Sequence, residues 1–549
     1  MICRKFILLT ILFPVAINCF ADKYPRNYSL DIIHYSFELK LSDSTDEIQG
    51  RASISILFKA NDIKQIRLDL INKTELRAGK GMLVESVSYN NSGLEFIHQN
   101  DALLIMLGGQ FEKNKTYTFV IHYKGIPADG LRIGPTKYGD RSFFCENWPN
   151  RARHWLPTVD HPYDKATSEF IVTAPVKYRV ISNGLLLEES QISKEYKLTH
   201  WKQSVPVSCW LFVLGVAEFA VQNVGDFDGK SIQTWVYPKD REAGFYDFAS
   251  PTKQVLKFYS EYVGPFVYEK LANIQTPSVN GGMETSSAIF YGEDLVNGKA
   301  DSRLRNVVIH EIAHQWFGNA VTETTWDDAW LSEGFATYFT LLFQEHEYGH
   351  DEYIDGLKKA RKTVFDFYKK DSTYSIIDDR SAESGAVTSS ITYQKGAWVL
   401  HMLRERIGHE NFKKGIRNYY NRFINANATT NDFIEEMEKV SNENLKTFFN
   451  QWLNKPGYLK INAQWDFDEK GKQLIIHINQ SQQSDLLFQT PIEFQFFEEG
   501  AKSPQNVKFN LSTRTAEFKT PCTKKPVLVL ADPRTALLAD INLRGTDNK

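Results

Sequence analysis

Two histidines and two glutamates carry the chemistry that can be read from this chain. His310 and His314 stand four residues apart in HEIAHQWFGN, Glu311 follows the first of them, and Glu333 lies in WLSEGFATYF with 18 residues between it and His314. On a helix, a spacing of four puts both imidazoles on one face, one turn apart. Zinc binds neutral imidazole nitrogens, and a catalytic zinc keeps three protein ligands and one water, so Glu333 is the candidate third ligand. Glu311 then points near the metal's open side, where a carboxylate acts as general base on a metal-activated water. With 13 histidines in 549 residues, HExxH arises by chance in roughly 2% of such chains, and with a carboxylate at one set later position in roughly 0.1%. Those odds disfavour reading the pair as two ordinary core histidines.

The elements that must position these groups follow from the flanking residues. Residues 303–317 contain no Gly or Pro, with Ser302 as a candidate N-cap and Gly318 as a terminator. Val307, Val308, Ile309, Ile312, Ala313, Trp316 and Phe317 make that helix apolar nearly all round, hence buried. Imidazoles and a carboxylate buried without partners are costly, and a metal removes much of that cost. Trp330, Leu331, Phe335, Ala336, Phe339, Leu342 and Phe343 give the second segment a helical apolar face. Two antiparallel helices with a short connection bring Glu333 opposite the histidines.

The length suggests two to four domains. The reading is multidomain α+β, with a β domain over 22–222, a mixed and then helical domain over 223–456, and a β-sandwich over 457–549. Alternating runs at 35–41, 52–58, 102–106, 117–123, 168–173 and 211–216 predict strands in the first, and 473–478, 492–497 and 527–530 in the last. Residues 145–170, rich in Trp, Pro and Arg, predict an irregular anchored loop. Helical patterns run through 250–264, 326–370 and 395–453. Within 273–293, strand-like ends flank Gly281 and Gly282, ahead of Met283 and Glu284. A tight turn is the default for such a pair, although two glycines also let a peptide backbone come close and pair with a strand edge.

A net charge of −3 with no long basic run argues against nucleic acid and anionic membrane surfaces as partners. Past the N-terminus no apolar run reaches membrane-spanning length. Arg4 and Lys5, the apolar stretch from Phe6 to Ile17, and Cys19-Phe20-Ala21 read as a signal peptide over 1–21, so the expectation is export to periplasm or medium. Lipoprotein anchoring at Cys19 is the weaker reading, because Asn18 is not small. Cys145, Cys209 and Cys522 remain, so no disulfide framework is required, although one pair is possible.

Taken in order, GGMET (281–285), HEIAHQWFGN, WLSEGFA and ITYQKGA (391–397) resemble the M1 aminopeptidases, zinc enzymes of the gluzincin group, whose corresponding motifs include GxMEN and Tyr-x-Lys-Gly-Ala. The resemblance implies a β-saddle, a thermolysin-like catalytic domain and a β-sandwich. It also implies one zinc per chain on His310, His314 and Glu333, with Glu311 as general base. By the same resemblance Tyr393 stabilises the tetrahedral oxyanion, and Glu284, beside Gly281, Gly282 and Met283, holds the free α-ammonium of a peptide substrate. Such an anchor makes an exopeptidase. Thr285 replaces the family's Asn. Where the family has Gln and, two positions on, a second acidic or amide residue, this chain has Glu146 and Trp148; Glu146 is then a candidate second carboxylate near the ammonium, and Trp148 shapes the first side-chain pocket. Many members carry a helical C-terminal domain over the cleft, so a chain ending after the sandwich implies a more open site. The expected function is therefore metallo-aminopeptidase. A metallo-endopeptidase with the same zinc site and a non-catalytic secreted peptide-binding protein are the alternatives. The preferred N-terminal residue and oligomeric state are not legible in the sequence.

Overall fold

The structure is a computed structural model that describes residues 23–109, 111–377, 387–482 and 486–546; the expected export segment, with Cys3 and Cys19, lies outside the described residues. Strands come first because the early sequence alternates. In Ile48–Phe58, Ile48, Ala52, Ile54, Ile56 and Phe58 turn inward while their neighbours face out. This strand and Leu30–Lys40, Ala166–Pro175, Tyr196–Val207 and Thr116–Ile126 form the body of an eight-stranded sheet. A four-stranded sheet packs nearby in the order Arg179–Ser182, Leu214–Ala217, Arg141–Cys145, Leu131–Pro135. The strand expected at 211–216 begins only at Leu214, because Cys209–Leu211 turns as a 3-10 helix.

The second sheet that matters is five-stranded, in the order Ala220–Phe227, Lys230–Val236, Lys270–Thr276, Ala288–Gly292, Gly282–Met283. Lys270–Thr276 is buried at every position and runs parallel to both neighbours, as a covered central strand must. Gly282–Met283 is antiparallel to Ala288–Gly292 and forms the outer edge.

Helices follow. Ser302–His314 and Trp330–Tyr348 pack against each other, and Trp330–Tyr348 also packs on Ser390–Ile407. The continuous helical patterns over 326–370 and 395–453 are divided: Gly349 separates Trp330–Tyr348 from His350–Tyr368, and Gly408 separates Ser390–Ile407 from His409–Phe423.

Residues from Leu459 onward form two sheets, of four and three strands, whose inner faces meet where Phe509 stacks on Phe518 at 4.5 Å. This sandwich docks on the helices through Trp452 against Phe488 and through His401, which donates from Nε2 to the Thr535 carbonyl at 2.9 Å. Cys145, Cys209 and Cys522 are free and buried. Among the described residues no helix is long and apolar enough to cross a membrane.

Candidate metal centre and active site

The histidine helix is Ser302–His314, and its N-cap is Asp301 rather than Ser302: the Asp301 carboxylate accepts from the Leu304 N–H at 3.0 Å. A carboxylate both caps the first turn and complements the positive end of the helix dipole. After His314 the chain turns through Gly318, forms the strand Val321–Glu323 beside Ala426–Ala428, and makes a 3-10 turn at Trp326–Asp328 before the helix Trp330–Tyr348. The connection between the helices is thus an ordered element of its own.

Three ligand atoms converge. The two Nε2 atoms lie 3.1 Å apart, and Glu333 Oε2 is 3.4 Å from that of His310 and 3.2 Å from that of His314. Zinc bonds of about 2.0–2.1 Å at tetrahedral angles separate ligand atoms by about 3.3 Å, so the triangle has the size of one face of a zinc tetrahedron. Two further observations fit a metal. Glu333 Oε2 is buried without a hydrogen-bond partner. His314 Nδ1 donates to the Phe317 carbonyl at 3.1 Å, which leaves Nε2 with its lone pair toward the centre. Ser332 Oγ stands 3.0 Å from the same Nδ1.

Electrostatics among these side chains reflect the crowding. Burial opposes charge on Glu333, but the two imidazoles outweigh it and hold the carboxyl far below the carboxylate range. Burial also opposes charge on His314, yet Glu284 and Glu333, with Glu311, push it up to about 10. Burial lowers His310, and burial together with Glu284 drives Glu311 well up. A divalent ion would take over the role of the His314 proton.

Glu311 reaches across to the edge strand. A Cβ built on Gly282 would lie 2.2–2.3 Å from Glu311 Oε1, Cδ and Cγ. Only glycine lets the base occupy that place; Gly281, by contrast, faces open space. Glu284 sits just beyond, with ligand atoms of Glu284, Glu311 and His314 all within 4.8 Å of one another. Its Oε1 is buried and has no partner. The backbone there is gripped from the turn that follows the histidine helix: Gln315 Nε2 and Asn319 Nδ2 donate to the Glu284 carbonyl at 2.9 and 2.6 Å, and Gln315 Oε1 accepts from the Ser287 N–H at 3.0 Å. Thr285 closes the turn through Oγ1 to the Ala288 carbonyl.

Tyr393 arrives on the helix Ser390–Ile407, whose capping box is Ser389 with Thr392. Gly334 and Gly396 let this helix touch Trp330–Tyr348 backbone to backbone: a Cβ on Gly396 would be 2.9 Å from Gly334 Cα. That approach puts the Tyr393 hydroxyl 2.7 Å from Glu333 Oε1, to which it donates, with its ring stacked on His310. An open groove of about 440 Å³ begins at Gly282, His310, Glu311 and Tyr393 and runs past Thr337 and Gln344.

Among the described residues, Glu146 is not in the cluster of ligand atoms at the centre. Its carboxylate pairs with the Arg151 guanidinium and accepts from the Trp148 N–H at 3.1 Å, and it lines a different cavity of about 330 Å³ with Asp129, Arg132 and Ser278. The carboxylate expected as a second anchor is thus engaged by the Arg151 guanidinium. Trp148 packs edge-on against Trp210 and Trp326, at 4.9 and 4.6 Å. The positioning roles of Gln315, Asn319 and Ser332 were not anticipated; for the first two the available signal was their place in the HQWFGN turn.

A helix-borne His pair, a facing glutamate and a sheet edge beside them define the frame of an HExxH metallopeptidase. The Peptidase family M1 domain matches residues 248–452 and the Peptidase M1 N-terminal domain matches residues 32–211; the chain belongs to peptidase family M1. It is 28% identical over 453 residues to glutamyl aminopeptidase of Rattus norvegicus, covering 78% of this chain and 47% of that one. To the Homo sapiens glutamyl aminopeptidase it is 31% identical over 384 residues (67% and 40% covered). To probable aminopeptidase 1 of Saccharolobus solfataricus it is 30% identical over 444 residues (77% and 53% covered). The chain thus spans about half the length of the relatives it matches. The crystal structure of an M1 zinc metallopeptidase from Deinococcus radiodurans shares the fold, with a TM-score of 0.66 at 23% identity over 78% of this chain and 94% of that one.

Proposed function

We propose that the protein is a zinc-dependent aminopeptidase that removes the first residue of peptides with a free N-terminus. His310, His314 and Glu333 would hold the zinc, which would supply a water of lowered pKa and a Lewis acid for the scissile carbonyl. The rest falls to the chain's own groups. Glu311, held against Gly282, takes the water proton and returns it to the leaving amine. Tyr393 donates its hydroxyl hydrogen to the carbonyl oxygen as negative charge develops there. The open edge of Gly282–Met283 offers main-chain hydrogen bonds to the substrate backbone.

The observation that carries the exopeptidase reading is Glu284, a buried carboxylate with an unpartnered oxygen that shares a 4.8 Å cluster with Glu311 and His314. An α-ammonium at that oxygen places the first peptide bond at the metal. Steady-state kinetics on matched free and N-acetylated peptides test it. Wild type should cleave only the free form, and Glu284→Ala should raise KM for it by about 10²-fold or more, the size of a lost charge-assisted contact in a buried site. Rapid cleavage of acetylated peptides would instead indicate an endopeptidase. We also infer export, from the basic and apolar pattern of residues 1–21; N-terminal sequencing of the mature protein should then begin after Ala21.

A further inference from the structure

Past the reacting residues the structure opens a trough whose far part the proposed reaction leaves unused. Gly282, His310, Glu311 and Tyr393 line one end of it, and its volume is about 440 Å³. Its direction follows from the histidine helix. The Glu284 anchor is held at the C-terminal end of that helix, where Gln315 and Asn319 grip its carbonyl at 2.9 and 2.6 Å. The trough runs the other way, to Val307 and Asn306, a turn before His310. A substrate whose ammonium sits at Glu284 therefore lays the residues after the cleaved bond into the trough.

The trough has a floor, two walls and an end. Thr337, Leu341 and Gln344 of Trp330–Tyr348 make the floor, and the histidine helix is one wall. The other wall is His350–Tyr368, which presents Gly356, Lys359, Ala360 and Thr363, the spacing of one helical face. Gly356 lets this helix close on the floor: a Cβ there would lie 2.4 Å from Leu341 Cδ2. Two bridges cross the far end, from Gln344 Nε2 to Asn306 Oδ1 at 2.9 Å and from the Arg305 guanidinium to Glu352 at 3.7 Å. The acidic group on the lining is thereby answered within the protein. Lys359 is the one lysine or arginine on the described lining, and among the described residues no carboxylate pairs with it.

An exposed lysine is ordinarily a solvated charge; its place in the trough sets this one apart. Gly356 meets Leu341 across a pair of antiparallel helices joined at Gly349. Lys359 lies three residues on from that contact, so it comes level with a point about five residues beyond Glu333, or about 7.5 Å along the helix axis. An extended chain advances about 3.3–3.6 Å per residue, so two or three residues beyond the cleaved bond span that distance. We propose that Lys359 receives a carboxylate at the third or fourth residue of the substrate, which in a tri- or tetrapeptide is the chain end. Lys359 is then a specificity residue with no part in bond cleavage, and the proposal rests on the aminopeptidase reading above.

The test uses the zinc-loaded full chain and two substrate pairs: tri- and tetra-alanine as free acids against their C-terminal amides, and Ala-Ala-Glu amide against Ala-Ala-Gln amide. Wild type should show kcat/KM about fivefold higher for an acid than for its amide, the upper range of an exposed ion pair, and the gap should close at high salt. Lys359→Met should bring acid and amide together, and Lys359→Glu should favour the amide. Each ratio is taken within one variant, so a general loss of activity or stability does not enter it. A preference for the Glu over the Gln amide without one for acid over amide, again removed by Lys359→Met, supports the proposal and assigns the carboxylate to a side chain. A wild type blind to charge in both pairs, or a preference that survives Lys359→Met, overturns it. Failure to cleave any free-amine peptide overturns the aminopeptidase reading instead, so the two failures are distinguishable.

Discussion

Replacing Gly282 by Ala puts a methyl carbon where the Glu311 side chain now lies. The added Cβ would be 2.2 Å from Oε1 and 2.3 Å from Cδ and Cγ, against an ordinary contact of about 3.5–4.0 Å. The clash falls on a side chain rather than on backbone, so the fold accommodates it by moving the carboxylate about 1–2 Å. Stability should change by no more than about 1 kcal/mol, the usual scale of a Gly-to-Ala exchange in a strand. The rate should not be spared. Misplacing a reacting group by about 1 Å costs on the order of 10²-fold, equivalent to about 2.7 kcal/mol of barrier. The assay is steady-state hydrolysis of an aminoacyl-coumarin amide, read beside zinc content by mass spectrometry and a thermal melt. The expected result is kcat down about 10²-fold with KM, zinc and melting temperature close to wild type. A variant retaining kcat within about threefold would refute the claim that this glycine exists to seat the base.

Other perturbations follow from the same geometry. Glu311→Gln should keep its zinc and lose about 10²–10⁴-fold in kcat, whereas a chelator should abolish activity that added zinc restores; persistent activity in zinc-free protein would remove the metal from the account. Gly396→Ala drives a Cβ to 2.9 Å from Gly334 Cα, a backbone atom with nowhere to go, and should lower stability by about 1–3 kcal/mol and activity with it, as Tyr393 and Glu333 part; an unaffected melt and rate would show that the helices do not meet there. Lys270 is buried, donates to the Ser182 carbonyl at 2.8 Å, and is pushed by burial from 10.5 down to about 7. Between those values the unfolded chain binds the extra proton, so this group makes stability rise with pH above 7, by up to about 1.4 kcal/mol per unit. Urea unfolding at pH 7, 8 and 9 should therefore show a shallower rise in Lys270→Met than in wild type; equal slopes would contradict a depressed pKa.

The centre of the site was legible because its constraints are local. A spacing of four on a helix fixes two imidazoles without any tertiary knowledge, and the apolar run around them demands burial. Glu333 needed only a second helix. The glycine pair was legible as a place of close approach, but not what approaches: at Gly282 it is the protein's own Glu311. Tyr393 and Glu284 came from resemblance alone, since nothing in the spacing marks one tyrosine among 25. The sequence did not reveal that Arg151 turns back on Glu146. Tyr196–Val207 escaped detection for a related reason: its buried positions include Thr199 and Gln203, so the polar pattern hides an inner strand.

The crossing of Gly334 over Gly396 has a longer reach than the two residues it seats. Because main chain rests on main chain, the offset between Glu333 and Tyr393 is set by the thickness of a polypeptide, a length no neighbouring substitution alters. Residues around the cleft are then free to drift and to change which peptides enter, while the reacting centre stays in tune. In this scaffold, reactivity and selectivity are inherited separately.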